Sequence, residues 1–381
     1  MLDTLLANES LRRREFPVVS ERIYLAHAAV CPLPACVVAA ITHYLAQASA
    51  GGQFEHLHAS AEAQTRELAA QLLGASADEV AFVASTSSGL SLVAAGLAWQ
   101  AGDNVVIAEG DFPSNVYPWL NLQRQGVDIK WIPSRDDGLV TQEDVAAQVD
   151  NKTRLVSLSS VHYATGARLD VDAIGQYLQS RNILFCVDAI QSLGAVPVSV
   201  RHVDFLTADA HKWLLGPQGI GILFVRRSRF DVLHPALLGW KSVCANKDFV
   251  NQRLEFPASA RRYEPGSLNA IGIIGLHAAL SMLQRVGATA IAERLKVQRA
   301  FLVSRLMAKG YRILGVPAQQ DPSGITSFCS ESKDVLELYR LLDERGIAVS
   351  LREDPRGNKC IRVAPHFYNT EAELEILLSH L

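Results

Sequence analysis

Between Val80 and Val225 short apolar runs alternate with amphipathic stretches, and this alternation limits the possible folds more than any other feature of the chain. The runs Val80–Val83, Asn104–Ala108, Asp128–Ile132, Arg154–Ser159, Ile183–Val187, Phe205–Thr207 and Gly221–Val225 have the length and composition of strands. Helical segments over Gly89–Trp99, Ser114–Gln125, Thr141–Val149 and Asp172–Gln179 separate most of them. A strand that is apolar throughout is buried on both faces. The pattern therefore predicts an α/β fold with a mainly parallel seven-stranded sheet covered on both sides.

The flanking regions read differently. Residues 3–14 suit a short amphipathic helix, Pro17–Leu25 a strand, and Ala26–Pro34, with its two prolines, an extended loop. Helices are expected over Ala35–Ala50 and Glu55–Leu73. After the irregular stretch Trp240–Asn269 come helices Ala270–Gly287, Ala290–Lys309 and Lys333–Arg345, with strands at Ile313, Ile325–Cys329, Ile347–Leu351 and Cys360–Val363. The expected division is a large α/β domain over residues 21–255 and a smaller α+β domain formed by 1–20 and 256–381. A chain of 381 residues, 49% hydrophobic, supports two such cores.

Composition excludes some partners. With 36 basic and 39 acidic residues and no basic stripe, neither nucleic acid nor an anionic membrane is suggested. The six cysteines (31, 36, 186, 244, 329, 360) form no metal-ligand spacing, and no metal site is expected. The start lacks a signal-peptide apolar block, and the run Ala270–Leu283 is too short to span a bilayer, so a soluble cytoplasmic protein is expected.

In an open parallel sheet, ligands sit beyond the C-terminal ends of the strands. Ala84-Ser-Thr-Ser-Ser-Gly89 follows one strand and opens a helix, a phosphate-type start that matches neither a P-loop nor a dinucleotide fingerprint. Cys186-Val-Asp188 ends another in a carboxylate suited to hold a proton on a pyridine nitrogen. Phe112, in Asp111-Phe-Pro-Ser-Asn115, follows a third and suits stacking on an aromatic ring. At the junction of the last two strands stands Lys212, preceded by His211 and flanked by apolar residues that favour the free amine, a nucleophile toward carbonyls.

A phosphate-type helix start, a strand-end aspartate and, 24 residues on, a lysine loop resemble the fold-type I pyridoxal-phosphate enzymes, and in detail the class V aminotransferase family. That family includes cysteine desulfurases, selenocysteine lyases, kynureninases and isopenicillin N epimerase-like proteins. The resemblance implies pyridoxal 5'-phosphate as cofactor, an internal aldimine on Lys212, His211 helping to hold the cofactor, Asp188 on the pyridine nitrogen and Gln191 near the ring hydroxyl. Thr86 and Ser87 would hold the phosphate, Phe112 would stack on the ring, and Arg362 would grip a substrate α-carboxylate. Ser267 would reach the partner's phosphate across a homodimer with shared active sites. His162 falls where relatives carry Asn or Gln facing the cofactor oxygen. Asp209 falls where several carry a phosphate-binding hydroxyl, and it is expected to point elsewhere.

The loop Ser350–Lys359, with Arg352, Glu353, Asp354 and Arg356, has no cysteine where desulfurases present theirs. Cys31 and Cys360 are the remaining candidates for a persulfide. The expected activity is that of a pyridoxal-phosphate enzyme acting on a small-molecule amino acid, as an aminotransferase or carbon–sulfur lyase. A desulfurase or selenocysteine lyase feeding an acceptor, and an amino-acid epimerase, are the alternatives; a cofactor-binding regulator without turnover is a further reading.

Overall fold

The computed structural model describes residues 2–53, 59–244, 250, 252–315, 322–354 and 357–381. Its centre is a seven-stranded sheet of β2 (Val80–Val83), β3 (Asn104–Ala108), β4 (Asp128–Ile132), β5 (Thr153–Ser159), β6 (Leu184–Asp188), β7 (Phe205–Asp209) and β8 (Gly221–Val225), in the order β2-β8-β7-β6-β5-β3-β4. Strands β3 to β7 pair in parallel, and β8 is antiparallel to both of its neighbours, β2 and β7. Six strands therefore end at the same edge. In register, Ser159 lies beside Asp188, and Asp188 beside Thr207.

Successive residues of these strands feed two apolar layers. Phe82, Val106, Val156, Phe185 and Leu206 belong to one, Ala81, Val105, Leu155, Cys186 and Phe205 to the other. Both layers are covered, which is why the strands read as continuous apolar runs. Leu90, Val93 and Leu97, from and just after the helix Thr86–Gly96, pack into the second layer. The first is closed by helices Ala59–Leu73 and Ala270–Val286, through Ala69 and Leu73 and through Ile273, Leu276, Leu280 and Leu283.

The C-terminal part holds a four-stranded antiparallel sheet, β12-β13-β10-β9, of β9 (Arg312–Ile313), β10 (Thr326–Cys329), β12 (Ser350–Glu353) and β13 (Lys359–Val363). A two-residue strand β1 (Ile23–Tyr24) pairs in parallel with β11 (Ile347–Ala348) and ties the N-terminal segment to this region. Phe16 stacks on Tyr368 with ring centroids 3.9 Å apart. Arg12 forms an ion pair with Glu373 at 2.9 Å, both side chains buried. His27 is wholly buried, one ring nitrogen 2.9 Å from Ala364 O and the other 2.7 Å from the Tyr368 hydroxyl. Among the described residues, no single helix is long and apolar enough to cross a membrane.

Several expectations need correction. Pro17–Leu25 is not one strand: Pro17, with helical φ, starts the helix Val18–Glu21, and the chain turns extended at Arg22 with only Ile23–Tyr24 pairing as a strand. Residues 3–14 divide at Asn8, whose side chain caps a second helix by accepting from Leu11 N–H. Ser114–Gln125 breaks into three short helical pieces, because Pro113 and Pro118 remove amide donors and Val116 is not helical. The strand expected over Ile347–Leu351 breaks at Val349, its halves serving different sheets. Helix Glu371–Ser379, with a Thr370/Glu373 capping box, was not anticipated. Residues 55–58 of the second predicted helix, and Arg356, lie outside the described residues.

Candidate active site

The strand ends converge on a cavity of about 400 Å³ lined by Ala28–Val30, Thr86, Ser87, Phe112, Ser114, Tyr163, Asp188, Ile190, Gln191, Asp209, His211, Lys212, Arg352 and Arg362. Eight of the ten residues singled out from sequence are on this wall; His162 and Ser267 are not.

Lys212 is fixed by the turn that follows it. Leu215 N–H donates to Lys212 O at 3.2 Å, and Gly216 N–H to Ala210 O at 2.9 Å. Closing this turn puts Leu215 at φ 58°, a left-handed conformation that a bulky residue tolerates only where packing enforces it. The Lys212 side chain is 8% exposed, with Nζ 5.5 Å from the centroid of the Phe112 ring. Burial lowers its pKa to about 8, against the attraction of Asp188. At neutral pH a usable fraction of this lysine is free amine.

Asp188 ends β6 at 2% exposure. Its Oδ1 accepts from Ile190 N–H at 2.9 Å. No side-chain donor reaches it among the described residues, and burial raises its pKa to about 7. A desolvated carboxylate facing a cavity is a place for a cationic N–H. Gln191 is held at both ends of its amide, donating to Ala28 O and accepting from Trp213 Nε1–H, each at 2.9 Å. One amide hydrogen is left for the cavity.

Phe112 owes its position to Asp111. That carboxylate accepts from Ser159 Oγ at 2.6 Å, Phe112 N–H at 2.7 Å and Asn115 Nδ2 at 2.9 Å, pinning the loop so that the phenyl ring stands half free at the mouth. The ring meets Tyr163 edge-on at 5.3 Å.

The helix start is built differently from the expectation. Ser85 caps the helix, Ser87 Oγ is 2.7 Å from Ser114 Oγ, and Thr86 is buried. Asp209, expected to point elsewhere, turns to this start: Thr86 N–H donates to its Oδ1 at 2.7 Å and Thr86 Oγ1 accepts from Asp209 N–H at 3.0 Å. The positive end of a helix is where a carboxylate is most favourably placed. Burial nonetheless raises the Asp209 pKa to about 6. His211 Nδ1 is 3.4 Å from Asp209 Oδ2. Burial, then the Lys212 charge, lowers the imidazole pKa to about 4, so at neutral pH it meets Asp209 as a neutral ring.

His162 does not face the cavity. Its Nε2 lies 3.1 Å from Gly110 O, while Nδ1 accepts from Thr165 N–H at 3.2 Å. With both nitrogens occupied, the ring braces the 108–112 turn, and its neighbour Tyr163 takes the wall position. Ser267 is exposed and outside the cavity. Arg362 is 1% exposed; Nη1 donates to Tyr163 O at 2.6 Å, and Nε has no partner among the described residues.

Sequence reasoning missed Tyr163, Ser114 and the Ala28–Val30 wall, and it treated Arg352 only as part of an entrance loop. Ser114 lies within the Asp111–Asn115 motif and Tyr163 beside His162, but neither residue was given a role from sequence. They reach the cavity through contacts between distant segments.

These residues fit pyridoxal phosphate. A buried amine of lowered pKa, an aromatic face beside it, an uncompensated carboxylate and a hydroxyl-rich helix start match its aldehyde, ring, pyridine nitrogen and phosphate.

A sequence profile described as aminotransferase class V matches residues 23–377. A probable cysteine desulfurase of Methanothermobacter thermautotrophicus is 32% identical over 392 residues, covering 96% of this chain and 95% of the relative. An uncharacterised aminotransferase of Bacillus subtilis is 32% identical over 307 residues, covering 80% and 79%. The apo cysteine desulfurase of Thermococcus onnurineus superposes with a TM-score of 0.86 at 26% identity, covering 96% of this chain and 95% of that one. The cystine C–S lyase C-DES, in complex with cysteine persulfide, superposes equally well at 23% identity and so shares the fold.

Proposed function

The chain belongs to the class V aminotransferase family, and from that premise we propose that this pyridoxal-phosphate-dependent enzyme acts at the α-carbon of an amino acid, as a carbon–sulfur lyase or aminotransferase that lodges no sulfur on its own cysteines. The observation that carries this reading is the make-up of the cavity wall: Lys212, Asp188 and Arg362 are on it, and no cysteine is.

Lys212 would hold the cofactor covalently and Asp188 its pyridine nitrogen, with Phe112 on the ring and Thr86 and Ser87 at the phosphate. When bound, the cofactor supplies a sink for the electron pair left at the substrate's α-carbon. Arg362 binds the α-carboxylate, its fork held by Tyr163 O. Lys212 Nζ takes the α-proton and, with a pKa lowered toward neutrality, can return it. Asp188, ionised by a cationic partner, keeps the proton on that partner.

The cysteines support release of sulfur to solution. Cys31 is buried with its thiol directed at Gly216 O, and burial pushes its pKa to about 12; Cys360 is fully buried and also pushed to about 12. Neither side chain is among the wall residues. The relatives described as cysteine desulfurases favour a second reading, delivery of sulfur or selenium to an acceptor.

Product analysis separates these. With L-cysteine or L-cystine, pyruvate and ammonia in step with sulfide or persulfide indicate the lyase, whereas a keto acid matched to an amino acceptor indicates the transferase. Alanine with protein-bound sulfur, abolished by alkylation, would overturn the proposal. Lys212→Ala should lose the visible absorption of the cofactor-loaded protein and slow turnover by about 10³-fold or more.

We also infer a cytoplasmic homodimer. Unpaired cysteines suit a reducing compartment. Leu237, Leu238, Trp240 and Leu254 are each more than 40% exposed, on the segment leading to exposed Ser267. Pairing would cover these apolar side chains. Light scattering giving the monomer mass at micromolar concentration would exclude it.

A further inference from the structure

The antiparallel ladder of β12 and β13 sets Ser350 opposite Arg362 and Arg352 opposite Cys360. Residues two apart on a strand share a face, so Arg352 and Arg362 are diagonal neighbours on one face, with Cα atoms about 7 Å apart. Both side chains line the Lys212 cavity.

The two guanidiniums are held differently. Arg362 is buried and anchored by Tyr163 O and, at 3.5 Å, by Ser350 Oγ. Arg352 is half-buried and, among the described residues, donates only to the carbonyl of the adjoining Leu351, at 2.7 Å. Neither has an ion-pair partner among the described residues. The acids next to Arg352 are already engaged: Glu353 with Lys359, and Asp354 with Arg312 at 3.0 Å. After burial, Arg352 is the largest influence lowering the Arg362 pKa, to about 9, and it lowers that of Lys212 as well. Three cations thus face one small cavity: Asp188 and Asp209 attract Lys212 against the two arginines, but neither carboxylate pairs with either guanidinium among the described residues.

Such repulsion is relieved when anions enter. One guanidinium fork serves one carboxylate, and Arg362 is the fork already fixed in place. We propose that Arg352 binds a second anionic group, carried on the substrate's side chain, so that the enzyme prefers amino acids with a side-chain carboxylate or similar anion over neutral ones. This rests on the reading of the cavity as a pyridoxal-phosphate site that binds the α-carboxylate at Arg362.

Non-reacting acids test it without turnover. Calorimetry on the cofactor-loaded protein at low salt should show succinate or glutarate binding about 10- to 100-fold tighter than butyrate, the gain of a charge-assisted hydrogen-bonded contact. Arg352→Gln should bring that ratio close to one, and Arg352→Lys should leave it in between, since an ammonium keeps charge without the fork. Arg362→Gln should weaken butyrate as well as the diacids. Among amino acids, the KM advantage of an anionic side chain over a neutral one of similar length should fall with the same ratio in Arg352→Gln. Equal binding of mono- and dicarboxylates by the unmodified enzyme, or a ratio unchanged in Arg352→Gln, overturns the proposal. Protein that develops no visible band with pyridoxal phosphate overturns instead the reading beneath it. A normal band without dicarboxylate preference overturns this inference alone.

Discussion

Thr86 N–H donates to Asp209 Oδ1 at 2.7 Å, so a carboxylate of the chain already occupies the first amide of the helix start assigned to the cofactor's phosphate. Two anions at one helix terminus compete and repel. Asp209→Ser is therefore expected to bind pyridoxal phosphate roughly tenfold more tightly than the unmodified protein at pH 8. Below the Asp209 pKa of about 6 the carboxyl is neutral, and the two proteins should converge. Equilibrium dialysis at pH 5.5 and pH 8 measures this; weaker binding by the serine variant would mean that Asp209 serves the phosphate.

The cofactor-free protein should be penalised by its own site near neutral pH. Burial raises the Asp188 pKa to about 7 from its usual acidic value. The stability associated with its protonated form is present at low pH and lost as pH rises through about 7. Lys212 runs the opposite way: its pKa is lowered to about 8, so stability recovers from there toward the unfolded-state value near 10.5. The Asp188→Asn/Lys212→Met double variant should thus exceed the unmodified apoprotein most at pH 7 to 8, on the order of 2 kcal/mol. Denaturant titrations at pH 5, 7.5 and 10 give the three differences, and a gap that widens steadily in either direction would contradict the assignment.

Thiol labelling should separate the cysteines sharply. Only the thiolate reacts, so groups pushed to about 12 should label roughly 10³-fold more slowly at pH 8 than an unperturbed thiol. Exposed Cys244 is expected to react within minutes, while Cys31 and Cys360 persist until the protein unfolds. Mass spectrometry of peptides after a timed iodoacetamide pulse checks the order. The labelled enzyme should keep at least half of its turnover.

Gly89 is expected to accept no side chain. A Cβ there would lie 2.3 Å from Thr207 Oγ1 and 2.9 Å from Thr207 Cβ, because the helix start is seated directly on β7. Gly89→Ala should cost about 1–3 kcal/mol and lower the melting temperature by about 2–6 °C. Thr207 Oγ1 is buried without a hydrogen-bond partner among the described residues, so Thr207→Ala in the same chain removes the nearer contact at little cost but keeps the Cβ at 2.9 Å, and should recover only part of that loss.

Six of the seven strands were legible because they are largely apolar and buried, the edge strand Asp128–Ile132 being partly exposed. Asp188 was legible as the last residue of such a strand and Lys212 as lying just beyond another, whereas Arg362, inside a strand of the smaller sheet, was legible only through the family resemblance. What sequence could not give was side-chain traffic between distant segments. Asp209 was expected to turn away on the argument that two anions repel; instead the helix-start amide Thr86 N–H decides its direction. His162 and Tyr163 are adjacent, and which of them faces the cavity depends on Gly110 O and Thr165, neither of which marks itself in the sequence. Local proline chemistry misled in two places, at Pro17 and Pro118, where a rigid ring started or broke a helical turn inside a segment read as uniform.

The junction of Ala26 with Ala364, and of His27 with the Tyr368 hydroxyl, bears on biosynthesis. Ala28–Val30 form part of the cavity wall, yet the backbone that positions them is secured by residues more than 330 positions later in the chain. A ribosome that has completed all seven strands of the central sheet has still not made the residues that anchor this wall. The wall of the proposed cofactor site is therefore anchored only once synthesis has passed Tyr368, long after the central sheet is complete.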